Sequence, residues 1–209
     1  MTRLLLLFLA AFVGVTSSAA AAGSDTLPSL LERLAARFRN VPVVYAEFSQ
    51  TKTLTTLTRP LHSSGRLVLA RDRGVLWQVE KPYKVAFVIG VDRLSEVRAD
   101  GSVRKRTLRE VPAVGHVSRV FRAILSGNKE VLGEYFDLHL TGNTADWELR
   151  LIPRTKVSPY LKSIVVKGGE FIEQILLEEP SGDRTMIRFT SQRAESALSP
   201  DEQRLFDSE

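Results

Sequence analysis

The chain has no cysteine among its 209 residues. That absence removes disulfides, thiolate metal sites, a cysteine nucleophile and the lipid-modified cysteine of a membrane-tethered protein. Histidine is almost as scarce, with three copies, and His62, His116 and His139 stand far apart at no metal-ligand spacing. No G-x-S-x-G elbow accompanies the serines. No loop is built to cradle phosphate, because Gly127-Asn128-Lys129 lacks the upstream glycine and Gly168-Gly169 reads as a hairpin turn. Catalysis needs groups that attack, shuttle protons or hold a metal. With that inventory empty, no enzymatic activity, metal or cofactor is expected.

Repeats, low-complexity tracts and linkers are also missing, and the one long apolar run is at the start. Leu4 to Val15 follows Arg3 and precedes the small residues Ala19 to Ala22. The run is shorter than the roughly 20 residues needed to span a bilayer, which reads as a cleaved signal peptide over residues 1–22 and an exported, periplasmic protein. The remaining 187 residues, 23–209, suit a single domain. The formal net charge of +5 falls to +4 without Arg3, and acidic residues are interspersed among the basic ones. No nucleic-acid partner is expected, because no reading motif or aromatic-basic platform exists. A mildly basic surface suits acidic proteins or anionic headgroups, and a monomer is expected.

Two helices are predicted. Leu27, Leu30, Leu31, Leu34, Ala35 and Phe38 fall on one helical face, with Asn40 and Pro42 ending the run. Val117, Val120, Phe121, Ile124 and Leu125 repeat the pattern before Gly127-Asn128. Elsewhere the period is two. Val44, Ala46 and Phe48 alternate with polar neighbours, and strand-like runs follow at 65–71, 74–80, 84–91 and 94–99. After the second helix come five more, around 135–140, 147–151, 161–167, 171–178 and 184–190. Asp72-Arg73-Gly74 and Asp100-Gly101 are hairpin signals, so neighbouring strands should run antiparallel. Val85 to Ile89 is apolar at every position, which predicts cover on both faces of the sheet. The polar stretch 194–209 reads as a loosely held tail.

About ten antiparallel strands in one small domain must curl. The expected fold is mainly β with helices (α+β): a strongly curved, unclosed antiparallel barrel with the amphipathic helices as a lid. Periodicity does not say whether the space between sheet and helices is solid or hollow. Trp77 and Trp147 are core fillers by default, with a cavity lining as the alternative. Arg104, Lys105, Arg106 and Arg109 form the densest charge, readable as a solvated edge or as a docking surface for an acidic membrane partner.

Phe48-Ser49-Gln50-Thr51, the connection ending at Ser64-Gly65, then Leu67, Arg71, Trp77 and Pro82 resemble the opening of the LolA family of periplasmic lipoprotein carriers. The order of later elements agrees, over roughly residues 46–193. The resemblance implies an apolar cavity for the acyl chains of a lipoprotein, received from an inner-membrane transporter and handed to an outer-membrane acceptor. Candidate cavity residues are Phe48, Leu67, Leu69, Trp77, Phe87, Ile89, Val120, Phe121, Ile124, Leu138 and Leu149. It also implies that Arg71, four residues after Leu67, latches the lid by hydrogen bonds. Asp72 stands where the family usually has proline, and Val75 where an aromatic residue is expected. Cargo for such a divergent member extends to other amphiphiles, such as a glycolipid or pigment-linked lipid. The rival readings are a lipid or lipoprotein sensor on the same fold and a hydrolase of amphiphiles.

Overall fold

The computed structural model of the protein describes residues 32, 33, 36, 41–90, 92–110, 129–143, 145–155 and 157–207. A first meander comprises β1 (Val43–Thr53), β2 (Leu61–Ala70), β3 (Gly74–Lys81), β4 (Val85–Ile89), β5 (Arg93–Arg98) and β6 (Val103–Thr107). A second follows α1 (Lys129–Tyr135): β7 (Phe136–Gly142), β8 (Trp147–Pro153), β9 (Ser163–Gly168), β10 (Ile172–Glu178) and β11 (Arg184–Glu195), with α2 (Pro200–Asp207) at the end. The two meanders join where β1 pairs antiparallel with β11, giving one sheet in the order β6-β5-β4-β3-β2-β1-β11-β10-β9-β8-β7. Neighbouring strands rotate by roughly 20–25°, so a sheet this wide curls. β6 and β7 remain its two edges, and the barrel is unclosed, as expected.

Local sequence accounts for the turns. Gly74 opens β3 at φ 117°, a backbone setting that side chains with a Cβ rarely adopt. At Asp100-Gly101 the Asp100 carboxylate accepts a hydrogen bond from the Ser102 N–H at 2.9 Å.

The alternation sorts side chains onto two faces. The inner face carries a continuous apolar cluster drawn from both meanders, including Val44, Phe48, Trp77, Leu151, Ile175 and Ile187. The chain leaves the sheet at one edge after Thr107 and rejoins it at the other at Phe136; Leu108, Leu132 and Tyr135, near the ends of that connection, are buried in the same cluster. A smaller cluster on the outer face joins Val43, Val68, Ala70, Leu76 and Val88 to Phe206 of α2. This explains the doubly apolar run of β4: Phe87 and Ile89 face inward while Val88, wholly buried, faces the terminal helix.

Several sequence expectations change. Among the described residues there are eleven strands, the extra one being Val103–Thr107, four of whose five residues are exposed, so that no apolar alternation announced it. β2 starts four residues before Gly65, with Leu61 and His62 exposed. Tyr135 ends a helix and is buried, where the pattern placed it on the polar side of a strand. Glu32, Arg33 and Ala36 are helical, within the first predicted helix; the rest of that helix and the second one, around 117–125, lie outside the described residues.

In place of the loosely held tail expected from 194, residues 194–207 form the end of a strand and a helix, and 208–209 lie outside the described residues. β11 runs to Glu195, and α2 then docks on the outer face through Phe206. Its start is a capping box: the Ser199 N–H donates to Glu202 Oε2 at 2.9 Å and the Glu202 N–H to Ser199 Oγ at 3.4 Å, with Pro200 in the first turn. Glu202 also receives the Tyr45 hydroxyl at 2.5 Å, and Arg193 lies 4.4 Å over the Tyr45 ring. Burial together with the neighbouring Glu202 carboxylate pushes Tyr45 up to about 12. Burial alone would raise Glu202, but the Tyr45 and Ser199 donors outweigh it and hold the carboxyl below its usual range.

A carboxyl depressed in the folded state contributes stability above its unfolded pKa, near ~4.3, and loses it as pH falls through the lower folded value. Limited proteolysis after Ala194 should therefore accelerate below that window in the parent, whereas Glu202→Gln should be cut faster at neutral pH with little further change on acidification. Identical pH dependence in both proteins would remove Glu202 as the anchor.

Candidate functional site

The inner face is the extended apolar surface that the two meanders share, and its shape follows from strand register. Across β1, β2 and β3, Ala46, Leu67 and Trp77 are in register, and across β3, β4 and β5 so are Val75, Ile89 and Leu94. On the other side of β1, Phe48 is opposite Phe189 of β11, and Ile187, Ile175, Val166 and Leu149 continue the surface through β10, β9 and β8. Gly65 permits the tightest approach: a Cβ there would lie 1.9 Å from the Gln78 carbonyl oxygen, at a register shift between β2 and β3. Beside it the Phe48 and Trp77 rings stack at 4.1 Å with a 34° tilt, and Phe189 meets Trp77 edge-on at 6.4 Å.

Phe48, Leu67, Leu69, Trp77, Phe87, Ile89 and Leu149 all belong to this inner cluster, each no more than 5% exposed. Leu138 is half-buried against it. Val120, Phe121 and Ile124 lie outside the described residues. Trp147 is also in the cluster, and its indole N–H donates to the Gly169 carbonyl at 3.0 Å, which fixes the ring beside the β9–β10 turn.

Arg71 stands just beyond β2, its backbone N–H bonded to the Pro42 carbonyl at 3.0 Å. Its Nε is 3.7 Å from the Asp72 carboxylate, the neighbour that replaces the family's proline. The basic arm is the edge strand β6 and its end. Arg104, Lys105 and Arg109 are exposed and Arg106 is half-buried. The arm is not one-sided: Arg104 opposes Glu96 and Arg106 opposes Leu94, in the inner-face rows, while Lys105 opposes Ser95 on the outer face. Of the histidines, His139 is exposed and His62 pairs with the Thr51 hydroxyl at 3.2 Å; His116 lies outside the described residues.

Sequence reasoning missed the polar end of the inner face. Beyond Phe48 the same side of β1 carries Gln50 and Lys52, and Lys52 is in register with Leu61 of β2 and Thr185 of β11. Gln50, Lys52 and Thr185 are 8%, 5% and 1% exposed. Lys52 Nζ has Glu179 Oε1 at 3.5 Å. Gln50 Oε1 and Thr185 Oγ1 are buried without hydrogen-bond partners among the described residues. The adjoining β1–β2 loop is tied to the β10–β11 turn by Asp183, which accepts from the Thr55 N–H at 2.8 Å and its hydroxyl at 2.9 Å. The Thr55 backbone donor, more than its hydroxyl, holds the Asp183 carboxyl below the usual range. The signal was available: period two carried on from Phe48 puts Gln50 and Lys52 on the core side.

The inner face is thus a buried apolar surface with one polar end; among the described residues no three acidic or histidine side chains gather to hold a metal. An outer-membrane lipoprotein carrier protein of Chromobacterium violaceum is 26% identical over 192 residues, covering 90% of each chain. A phosphate-binding protein PstS of Pseudomonas aeruginosa is 25% identical over 190 residues, 86% of this chain, which spans 57% of that protein's length. The solved structure of a LolA superfamily protein from Nitrosomonas europaea covers 85% of this chain and 96% of its own at 9% identity, with a TM-score of 0.47. The family model described as outer membrane lipoprotein carrier protein LolA-like matches residues 18–187. The chain thus belongs to the LolA-like family of outer membrane lipoprotein carrier proteins.

Proposed function

We propose that the protein is exported to the periplasm, binds the acyl chains of lipoproteins or a related amphiphile on the inner face of its sheet, and moves them from an inner-membrane transporter toward an outer-membrane acceptor. The observation that carries this reading is the continuous apolar inner face, which both meanders build and which is capped at one end by polar groups. Family membership and the carrier name of the Chromobacterium relative support it.

Energetics restrict how such a carrier works. Moving one ~14-methylene acyl chain out of water is worth about 11 kcal/mol at ~0.8 per CH2, so three chains would sum to roughly 34. Noncovalent affinity saturates near roughly 21 kcal/mol. The carrier need not approach that limit; it has to match donor and acceptor. A carrier that closes over its binding face lowers apparent affinity in proportion to the fraction of molecules open. That keeps release feasible.

Acyl chains carrying bromine should quench Trp77 fluorescence in a Trp147→Phe background, and lipids copurified from the native periplasm should identify the cargo by mass spectrometry. Unquenched Trp77 and a protein free of lipid would sink the carrier reading.

Arg71 is proposed as the latch that favours the closed state, since guanidinium offers several fixed donors and stays charged. Arg71→Leu should keep acyl binding but pass cargo to the acceptor poorly. Transfer at the parental rate would exclude the latch.

The arm Arg104, Lys105, Arg106 and Arg109 is proposed to meet an acidic membrane partner. Replacing all four with Gln should slow loading or delivery at low salt, with the gap narrowing as the Debye length shrinks to roughly 8 Å at physiological ionic strength. Parallel salt curves for parent and variant would leave the arm as a solvated edge.

A further inference from the structure

The inner face is apolar along most of its length and polar in its last two rows. One of these rows is Leu61, Lys52, Thr185 and Leu177; the other is Ser63, Gln50, Ile187 and Ile175. An ammonium held at 5% residue exposure is costly unless something compensates its charge. Glu179, at 3.5 Å and itself a quarter exposed, is a long and partial partner. A hydroxyl and an amide oxygen buried beside it without partners carry a further desolvation cost. A purely structural ion pair explains neither Thr185 nor Gln50.

The surroundings suit a ligand with two ends. Leu61, in the same row as Lys52, is 44% exposed, and Leu57 of the adjoining loop is 47% exposed, so apolar side chains stand at the rim where the polar row meets solvent. Inward from Gln50 the face becomes Phe48, Phe189 and Trp77. Lys52 and Thr185 offer donors, and Gln50 Oε1 offers an acceptor.

From this arrangement we infer that Lys52, Thr185 and Gln50 form the head-group site of the proposed acyl-binding face, built for an amphiphile whose polar end carries an anion, a carboxylate or phosphate, next to a hydroxyl or amide N–H. The inference rests on the carrier reading. Lys52 and Thr185 donate to the anion, Gln50 Oε1 accepts from the neighbouring donor, and Glu179 is the counter-ion that the anion displaces. The acyl chain runs from there along Phe48 toward Trp77.

The probes are N-dodecanoylglycine, which has a carboxylate and an amide N–H, its neutral methyl ester, and inorganic phosphate alone, each titrated at neutral pH by calorimetry. The acid should bind the parent about tenfold or more tightly than the ester, the scale of one buried charge-assisted hydrogen bond. Lys52→Met should reduce acid affinity about tenfold more than ester affinity, the scale of one charge-assisted hydrogen bond, and Glu179→Gln should strengthen acid binding. Exchange of a buried ion for an apolar side chain of similar volume is often tolerated, and thermal unfolding of Lys52→Met checks this. Thr185→Val provides a second variant, expected to weaken acid binding more than ester binding. Equal affinities of acid and ester for the parent, or an equal loss of both in Lys52→Met, would overturn the head-group site and leave the carrier reading standing. Binding of phosphate alone that competes with the acid but not with the ester would show a free-anion site instead. Failure of both acid and ester to bind would remove the carrier reading, and this inference with it.

Discussion

Pairing of the first strand with the last is the constraint on which the rest of this molecule depends. β1 and β11 are joined in register from Val43–Glu195 to Thr53–Arg184, interrupted only by an irregularity after Tyr45, where Ser191 takes φ 53°. Without that seam there would be two meanders, each with an apolar face and an open central edge, and each too narrow to enclose anything. With it, the first and last of the described strands lie at the middle of the sheet and β6 and β7, consecutive in the chain, are consigned to its two edges. The connection from Thr107 to Phe136 therefore has to reach from one edge to the other. Its ends are buried in the inner cluster.

The same seam explains why the two faces differ. The inner one collects aromatic and branched side chains from both meanders, with Phe48 of β1 and Phe189 of β11 side by side at the junction. The outer one is covered near β1 to β4 by the terminal helix, which β11 delivers close to Tyr45 and Val43. A helix docked outside through Phe206 leaves the inner face for another purpose. Burial on both sides makes the central strands rigid, since core packing leaves few voids into which a side chain could relax.

Polar groups within this apolar setting separate into two kinds. Glu202 is buried but receives the Tyr45 and Ser199 hydroxyls and the Ser199 N–H, so its cost is offset and its role is structural. Gln50 Oε1 and Thr185 Oγ1 are equally buried and lack such offsets, while Lys52 has the Glu179 carboxylate at 3.5 Å and also acts through its charge on Asp183. Proteins of this size keep few unsatisfied buried polar atoms. Two of them lie beside a buried cation at the polar end of the apolar inner face.

Much was legible in the sequence because period-two alternation is a local property. Val44, Ala46 and Phe48 show their core side without reference to any other strand, and Gly74 shows the turn by its backbone demands. Resemblance carried through short motifs supplied the family, and the inner-face residues named from it on the described strands lie on one surface. Strand β6 was missed because an exposed edge needs no apolar side. The terminal helix was missed although Ser199-Pro200-Asp201-Glu202 spells its capping box, because its single deep anchor, Phe206, has meaning only against Val68 and Leu76, which are far away in the chain. Gln50 and Lys52 were marked as core-side by position and as surface by chemistry. Their chemistry is that of any exposed strand end, and only the register that sets Lys52 against Leu61 and Thr185 brings it inside. Local pattern determined which side of each strand faces in; the pairing of β1 with β11, a contact between chain ends that no local pattern encodes, decided what lies there together.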